Sequence, residues 1–137
     1  YRPNENSKLQ AENFIKNVKL SSGDLPPVLD IENTSSVQCI TSLKKGISLW
    51  LKIIEDHYGV KPIIYSSASY YESFLAQEFG SYVLWVANYN IVKNPIKHEK
   101  WLFWQYSDKA MVLGIAGPVD LNVFNGSKDD LKVLFLR

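Results

Sequence analysis

A chain of 137 residues has the length of one domain, and with 46% hydrophobic and 21% charged residues it can bury a core, which excludes a disordered chain. A formal charge of +1 gives no electrostatic ground for a nucleic-acid partner. No apolar run approaches the roughly 20 residues a membrane helix needs, no signal peptide is visible at Tyr1-Arg2-Pro3, and the single cysteine, Cys39, excludes an internal disulfide.

In chain order, Ser7-Lys8-Leu9-Gln10 has the spacing of a capping box. Ala11, Phe14, Ile15 and Val18 then recur at helical spacing, which predicts an amphipathic helix over residues 8–20. Ser21-Ser22-Gly23-Asp24 breaks it, and Pro26-Pro27 suits the entry to a strand over residues 27–32. After a polar loop, Asn33 to Ser36, a longer helix carries its apolar stripe on Ile47, Trp50, Leu51, Ile54 and Tyr58, with Gly59 placed to end it. Cys39, with no histidine close by, reads as a buried small apolar residue. Ile63-Ile64-Tyr65 is a second short strand, and Ser69-Tyr70-Tyr71-Glu72 has the form of a capping box opening a helix that Gly80 closes. Strands follow over residues 82–89, 102–106 and 119–124, and a last helix after Ser127 turns Leu131, Leu134 and Phe135 inward.

Helix, strand, helix, strand, helix and then strands with short connections describe an α/β chain with a mainly parallel sheet. Ligands in such folds bind at the carboxyl ends of the strands. Asp30, Glu32, Tyr65, Tyr89, Gln105 and Asp120 are read as lying late in their strands, on that rim. In Leu25-Pro26-Pro27-Val28-Leu29-Asp30-Ile31-Glu32 the two acids stand at alternate positions. In a strand they leave the same face, with Cα atoms roughly 6.6 Å apart, while Leu29 and Ile31 point the other way. Two carboxyls so close raise one another's cost of ionisation, and a carboxyl that keeps its proton near neutral pH is what acid-catalysed bond cleavage requires.

Five stretches read together. They are Pro27-Val28-Leu29-Asp30-Ile31-Glu32, Gly59-Val60-Lys61-Pro62-Ile63-Ile64-Tyr65, Leu84-Trp85-Val86-Ala87-Asn88-Tyr89, Trp104-Gln105-Tyr106-Ser107 and Gly117-Pro118-Val119-Asp120-Leu121-Asn122. In this order they resemble the glycoside hydrolase family 25 lysozymes, the N-acetylmuramidases of bacteria and phages, and the likeness extends over nearly the whole chain. The resemblance implies a (β/α) TIM-like barrel and hydrolysis of the β-1,4 bond between N-acetylmuramic acid and N-acetylglucosamine in peptidoglycan. It implies Glu32 as proton donor, with Asp30 and Asp120 as assisting acids. Tyr65, Trp85, Tyr89 and Gln105 then match residues lining the sugar cleft. No metal and no cofactor is implied. The glycan strands of peptidoglycan are the implied partner, with neither nucleic acid nor membrane, and the substrate implies an extracellular or cell-envelope location.

Barrels of this kind typically take about 250 residues and rarely fewer than about 200. Residues 1–137 are therefore expected to form a single, incomplete family 25-like domain, a partial barrel lacking its first strands. Its open edges and uncovered interior are expected to make it self-associate or pair with another chain.

Blander readings remain beside these. Asp30 and Glu32 fit a solvated strand end paired with lysines, and Asp120 fits a turn acid bonded to backbone amides. Trp85 fits core packing as well as sugar stacking, and Trp50, Trp101 and Trp104 read as packing residues. His57 suits a helix end, His98 a polar loop, and Lys44-Lys45 and Lys128-Asp129-Asp130 solvated faces. Two alternative functions are a catalytically inactive peptidoglycan-binding fragment and a magnesium-dependent phosphoryl hydrolase on Asp30, Glu32 and Asp120. The second lacks a phosphate-cradling glycine-rich loop.

Overall fold

The structure, a computed structural model, describes residues 1–33, 39–89, 93–97 and 100–137. The polar loop's Thr34 to Ser36, and His98, lie outside the described residues.

Helix α1 spans Ser7–Asn17. Its cap is Asn6, whose side chain accepts from the Leu9 N–H at 3.0 Å. The expected Ser7–Gln10 box does not form, because both side chains serve the segment ahead of the helix. Ser7 Oγ lies 2.6 Å from the Tyr1 hydroxyl, and Gln10 accepts from the Arg2 N–H and donates to the Arg2 carbonyl. Asn caps a helix as well as Ser does, so moving the start by one residue costs little. The helix also stops short of residue 20: Val18 is already extended. Phe14 lies edge-on to Trp50 and Tyr58 of the next helix.

Strand β1 is Val28–Asp30, and helix α2 is Ile40–Tyr58. Leu43, Ile47, Trp50, Leu51 and Ile54 are buried along α2. Gly59 caps it at φ 71, the left-handed region where a Cβ is costly, and its N–H returns to the Glu55 carbonyl. Gly46 matters for another reason: a Cβ there would stand 2.5 Å from the Tyr1 hydroxyl and 2.6 Å from Ser7 Oγ, so its bareness lets α1 and its lead-in approach α2. Cys39 caps α2 by position without a side-chain cap bond and is exposed, contrary to the expectation of burial. A hydrogen bond with Ser42 draws its thiol pKa down. Lys44 departs from a solvated face: its side chain is 22% exposed and its ammonium lies 3.6 Å from Glu78.

Strand β2 is Ile63–Ser67. A continuous helical run follows: α3 at Ala68–Tyr70, a π-helical turn at Tyr71–Leu75 and α4 at Ala76–Phe79. The cap is Ser67, accepting from the Tyr70 N–H, two residues ahead of the Ser69 the sequence suggests. Strands β3 (Val83–Ala87), β4 (Phe103–Ala110) and β5 (Val119–Phe124) complete the sheet. Helix α5 (Lys128–Val133) carries a capping box between Ser127 and Asp130. Leu131, Leu134 and Phe135 are half-buried rather than core residues.

The strands lie in the order β1-β2-β3-β4-β5, parallel from β1 to β4, with β5 antiparallel to β4. The expectation of a mainly parallel α/β sheet holds, and the sheet is an open one. Residue parity splits it into two faces. Leu29, Ile31, Ile64, Leu84 and Val86 share one apolar cluster with Leu43, Ile47, Trp50, Leu51 and Ile54 of α2. Trp101 and Trp104 pack partly buried against that cluster, and Trp50 lies within it, as packing residues. The alternate residues, Asp30, Tyr65 and Trp85, leave the opposite face.

Candidate active site

The sheet register assembles the site in tiers. Asp30 pairs with Tyr65, Tyr65 with Trp85, Trp85 with Phe103 and Phe103 with Phe124, so these five side chains form one row across the open face. Within it, Tyr65 and Trp85 meet edge-on with centroids 5.7 Å apart, Trp85 and Phe103 lie at 5.4 Å, and Phe103 and Phe124 at 5.1 Å. Two residues further along, Ser67 pairs with Ala87, Ala87 with Gln105 and Gln105 with Asn122. Glu32 enters at this higher level, two residues past Asp30. The mainly aromatic row thus floors a polar tier at the carboxyl ends of β1 to β3, which meets β4 at Gln105, the third of its eight residues and not late in the strand as the sequence suggests, because β4 runs on to Ala110.

A cleft of about 350 Å³ opens there, lined by Glu32, Ser67, Ala68, Ser69, Ala87, Asn88 and Tyr89. Partial burial raises the Glu32 pKa, and the neighbouring Asp30 charge raises it further. Both effects disfavour the ionised form. Opposite, Gln105 is buried and its Oε1 accepts from two phenols, Tyr65 and Tyr89, the latter at 3.1 Å. The Tyr65 pKa is raised well above that of a free phenol, first by burial, then by the neighbouring Tyr89 phenol and the Glu32 and Asp30 charges. Tyr65 therefore remains a proton-bearing donor at neutral pH. Tyr89 is 44% exposed and forms the cleft's open wall.

Five of the sequence-predicted residues, Asp30, Glu32, Tyr65, Tyr89 and Gln105, are thus brought together. Trp85 joins through its ring contact with Tyr65, and its indole N–H donates to Asn122 Oδ1 at 2.8 Å. Asn122 was not singled out by the sequence reading. Its signal was its place two residues after Asp120, on the same face of a strand. Asp120 is exposed and sits second in β5, not late in it. Because β5 runs antiparallel, Val119 pairs with Ala110, which returns the start of β5 to the rim beyond the end of β4. Among the described residues Asp120 makes no hydrogen bond to Asp30 or Glu32. Nor do three His, Cys, Asp or Glu side chains converge as a metal-ligand set among the described residues.

The model of glycosyl hydrolases family 25 matches residues 1–115, a span that holds β1 to β4 and ends before Asp120. The uncharacterized protein YegX of Escherichia coli strain K12 is 42% identical over 132 residues, 96% of this chain and 48% of its own length. Lysozyme M1 of Streptomyces globisporus is 33% identical over 147 residues, covering 97% of this chain and 50% of that protein. A family 25 glycosyl hydrolase from Bacillus anthracis superposes with a TM-score of 0.86 at 27% identity, over 98% of this chain and 65% of that one. The chain spans about half the length of the curated relatives it matches. With the family match running through the four parallel strands that carry the cleft, the chain belongs to the glycosyl hydrolases of family 25.

Proposed function

We propose that this chain carries the acid side of a peptidoglycan-cleaving site, acting on the β-1,4 bond between N-acetylmuramic acid and N-acetylglucosamine. The observation that carries it is Glu32: a carboxyl at the lip of a sugar-sized cleft, its pKa raised by partial burial and by Asp30. A carboxylic acid that holds its proton toward neutral pH can give it to the glycosidic oxygen as the bond to the anomeric carbon breaks. Asp30, on the same face one tier down, sets a second carboxyl beneath the developing oxocarbenium ion. Asp120, at the rim on β5, is assigned to the far side of the same sugar, orienting its 2-acetamido group. Tyr65, Tyr89 and Gln105 form a hydroxyl–amide cluster fit for sugar hydroxyls, and Trp85 contributes an apolar surface beneath them. The kinship with Lysozyme M1 supports the substrate class. We place the action of the protein at the cell wall for the same reason.

The open sheet favours a second reading, in which residues 1–137 hold glycan strands without cutting them. One assay separates the two: clearing of purified cell walls by the chain and by Glu32→Gln. The first reading expects clearing by the unchanged chain and a loss of about 10²–10⁴-fold in the variant, the usual worth of a positioned acid. Equal clearing by both would sink Glu32 as the acid. Binding of walls by both without clearing would establish the second reading.

A further inference from the structure

Glu32 lies beyond the end of β1, and among the described residues no backbone hydrogen bond pairs it with β2. The last rung of the β1–β2 ladder runs from the Ile31 N–H to the Tyr65 carbonyl, at 3.0 Å. Past that point the carbonyls on both sides of Glu32 are taken by side-chain hydroxyls. Ser66 Oγ donates to the Ile31 carbonyl at 2.7 Å, and the Tyr70 hydroxyl donates to the Asn33 carbonyl at 2.9 Å.

Both donors come from one stretch, β2 and the helical turn it runs into. Ser66 is fully buried, on the face of β2 and β3 that otherwise carries Ile64, Leu84 and Val86. A hydroxyl in an apolar layer is destabilising unless hydrogen-bonded, and alanine would serve the packing alone. Its bond to Ile31 is what this serine adds. Tyr70 is buried as well, and its ring packs on Phe74 at 5.0 Å across the π-helical turn. Burial raises its pKa, so the phenol keeps the proton it donates.

We propose that Ser66 and Tyr70 are positioning residues for Glu32, clamping the peptide unit that enters it and the carbonyl of the residue that follows it, and so fixing where its carboxyl stands over the cleft. The inference rests on the reading of Glu32 as the acid. With one clamp removed, the backbone around Glu32 gains rotational freedom and the carboxyl swings toward solvent. It then leaves the groups that face it now: Asp30 from β1, Tyr65 from β2 and Tyr89 just past β3. A displacement of about 1 Å in a reacting group costs up to roughly a hundredfold in rate.

The test uses Ser66→Ala, Tyr70→Phe and the double variant, with Ser66→Thr as the variant that keeps a hydroxyl and Glu32→Gln as the control. A carbon-13 NMR titration of the Glu32 carboxyl reads its environment whether or not the chain turns over. Turnover is measured on soluble peptidoglycan fragments and on an aryl glycoside whose leaving group needs no proton. The expected result is a Glu32 pKa that falls toward that of a free carboxyl in Ser66→Ala and Tyr70→Phe, and returns in Ser66→Thr. On peptidoglycan fragments kcat should fall about tenfold or more with KM little changed, while the aryl glycoside is spared. Folded Tyr70→Phe and double variants that titrate like the unchanged chain would overturn the proposal, as would equal losses on both substrates. Should Ser66→Ala fail to fold, Tyr70→Phe decides alone, since it acts on the other carbonyl. Full activity in Glu32→Gln would instead overturn the acid reading, which the titration does not test.

Discussion

One strand serves two opposed purposes in this molecule. Leu29 and Ile31 are buried against α2, while Asp30 and Glu32, their immediate neighbours, are exposed on the other face. Across the sheet the contrast repeats: Ile64, Leu84 and Val86 belong to the packed face, and Tyr65, Trp85 and Gln105 to the open one. The packed face is apolar, interchangeable in detail and silent about chemistry. The open face changes character along its length, aromatic at the level of Tyr65 and Trp85 and polar at the level of Glu32 and Gln105. Stability is invested in one set of residues and chemistry in the other, which lets each be altered almost alone.

The largest effect should come from putting an open-face residue on the packed face. Ile31 has no exposed surface, and an aspartate there would be a buried charge without a partner. Ile31→Asp is expected to lose several kcal/mol, enough to unfold a domain of ordinary stability. Asp30→Asn, one residue away and exposed, should change stability by no more than about 0.5 kcal/mol. Urea midpoints of the two variants measure this, and similar losses in both would show that the faces are not separable.

A gentler pair lies on β2. Ile64→Ala removes a fully buried side chain beneath α2 and should cost about 2–5 kcal/mol. Tyr65→Phe removes only the hydroxyl that donates to Gln105, and about 1 kcal/mol is expected, since Gln105 keeps its bond from Tyr89. Its effect on turnover should exceed its effect on stability. A Tyr65→Phe chain that unfolds as readily as Ile64→Ala would make the phenol part of the core after all.

The division between faces was legible in the sequence, because strand parity alone sends Asp30 and Glu32 one way and Leu29 and Ile31 the other. The stripe of α2 was legible for the same kind of reason, and Gly59 marked its end. The caps were less so. Asn6 and Ser7, and Ser67 and Ser69, are near-equivalent capping residues, and the choice went to tertiary partners such as Tyr1. The clamps on Glu32 were illegible, since Ser66 to Ile31 and Tyr70 to Asn33 span 35 and 37 residues with no local pattern. The turn of β5 was not legible, since strands expected at 102–106 and 119–124 leave the dozen or so residues a parallel crossover takes. In the structure β4 runs on to Ala110, and the shorter link returns antiparallel and places Asp120 early in its strand.

The smallest effect tests whether the open face gives up stability for its chemistry. The Glu32 pKa is raised on folding, so between the ordinary carboxyl value and the raised one the folded chain binds more protons than the unfolded chain. Stability from this group is therefore fully present below the ordinary value and is lost as pH rises through the folded one. Glu32→Gln cannot ionise and loses nothing over that range. The variant should match the unchanged chain in acid and melt at a higher temperature at neutral pH, by a small amount because Glu32 is largely solvated. Melting curves from pH 4 to pH 8 would show the difference open with rising pH. A constant difference, or one of opposite sign, would mean that Glu32 is no more costly to ionise in the fold than in water, and the proton it is assigned to deliver would then be absent near neutral pH.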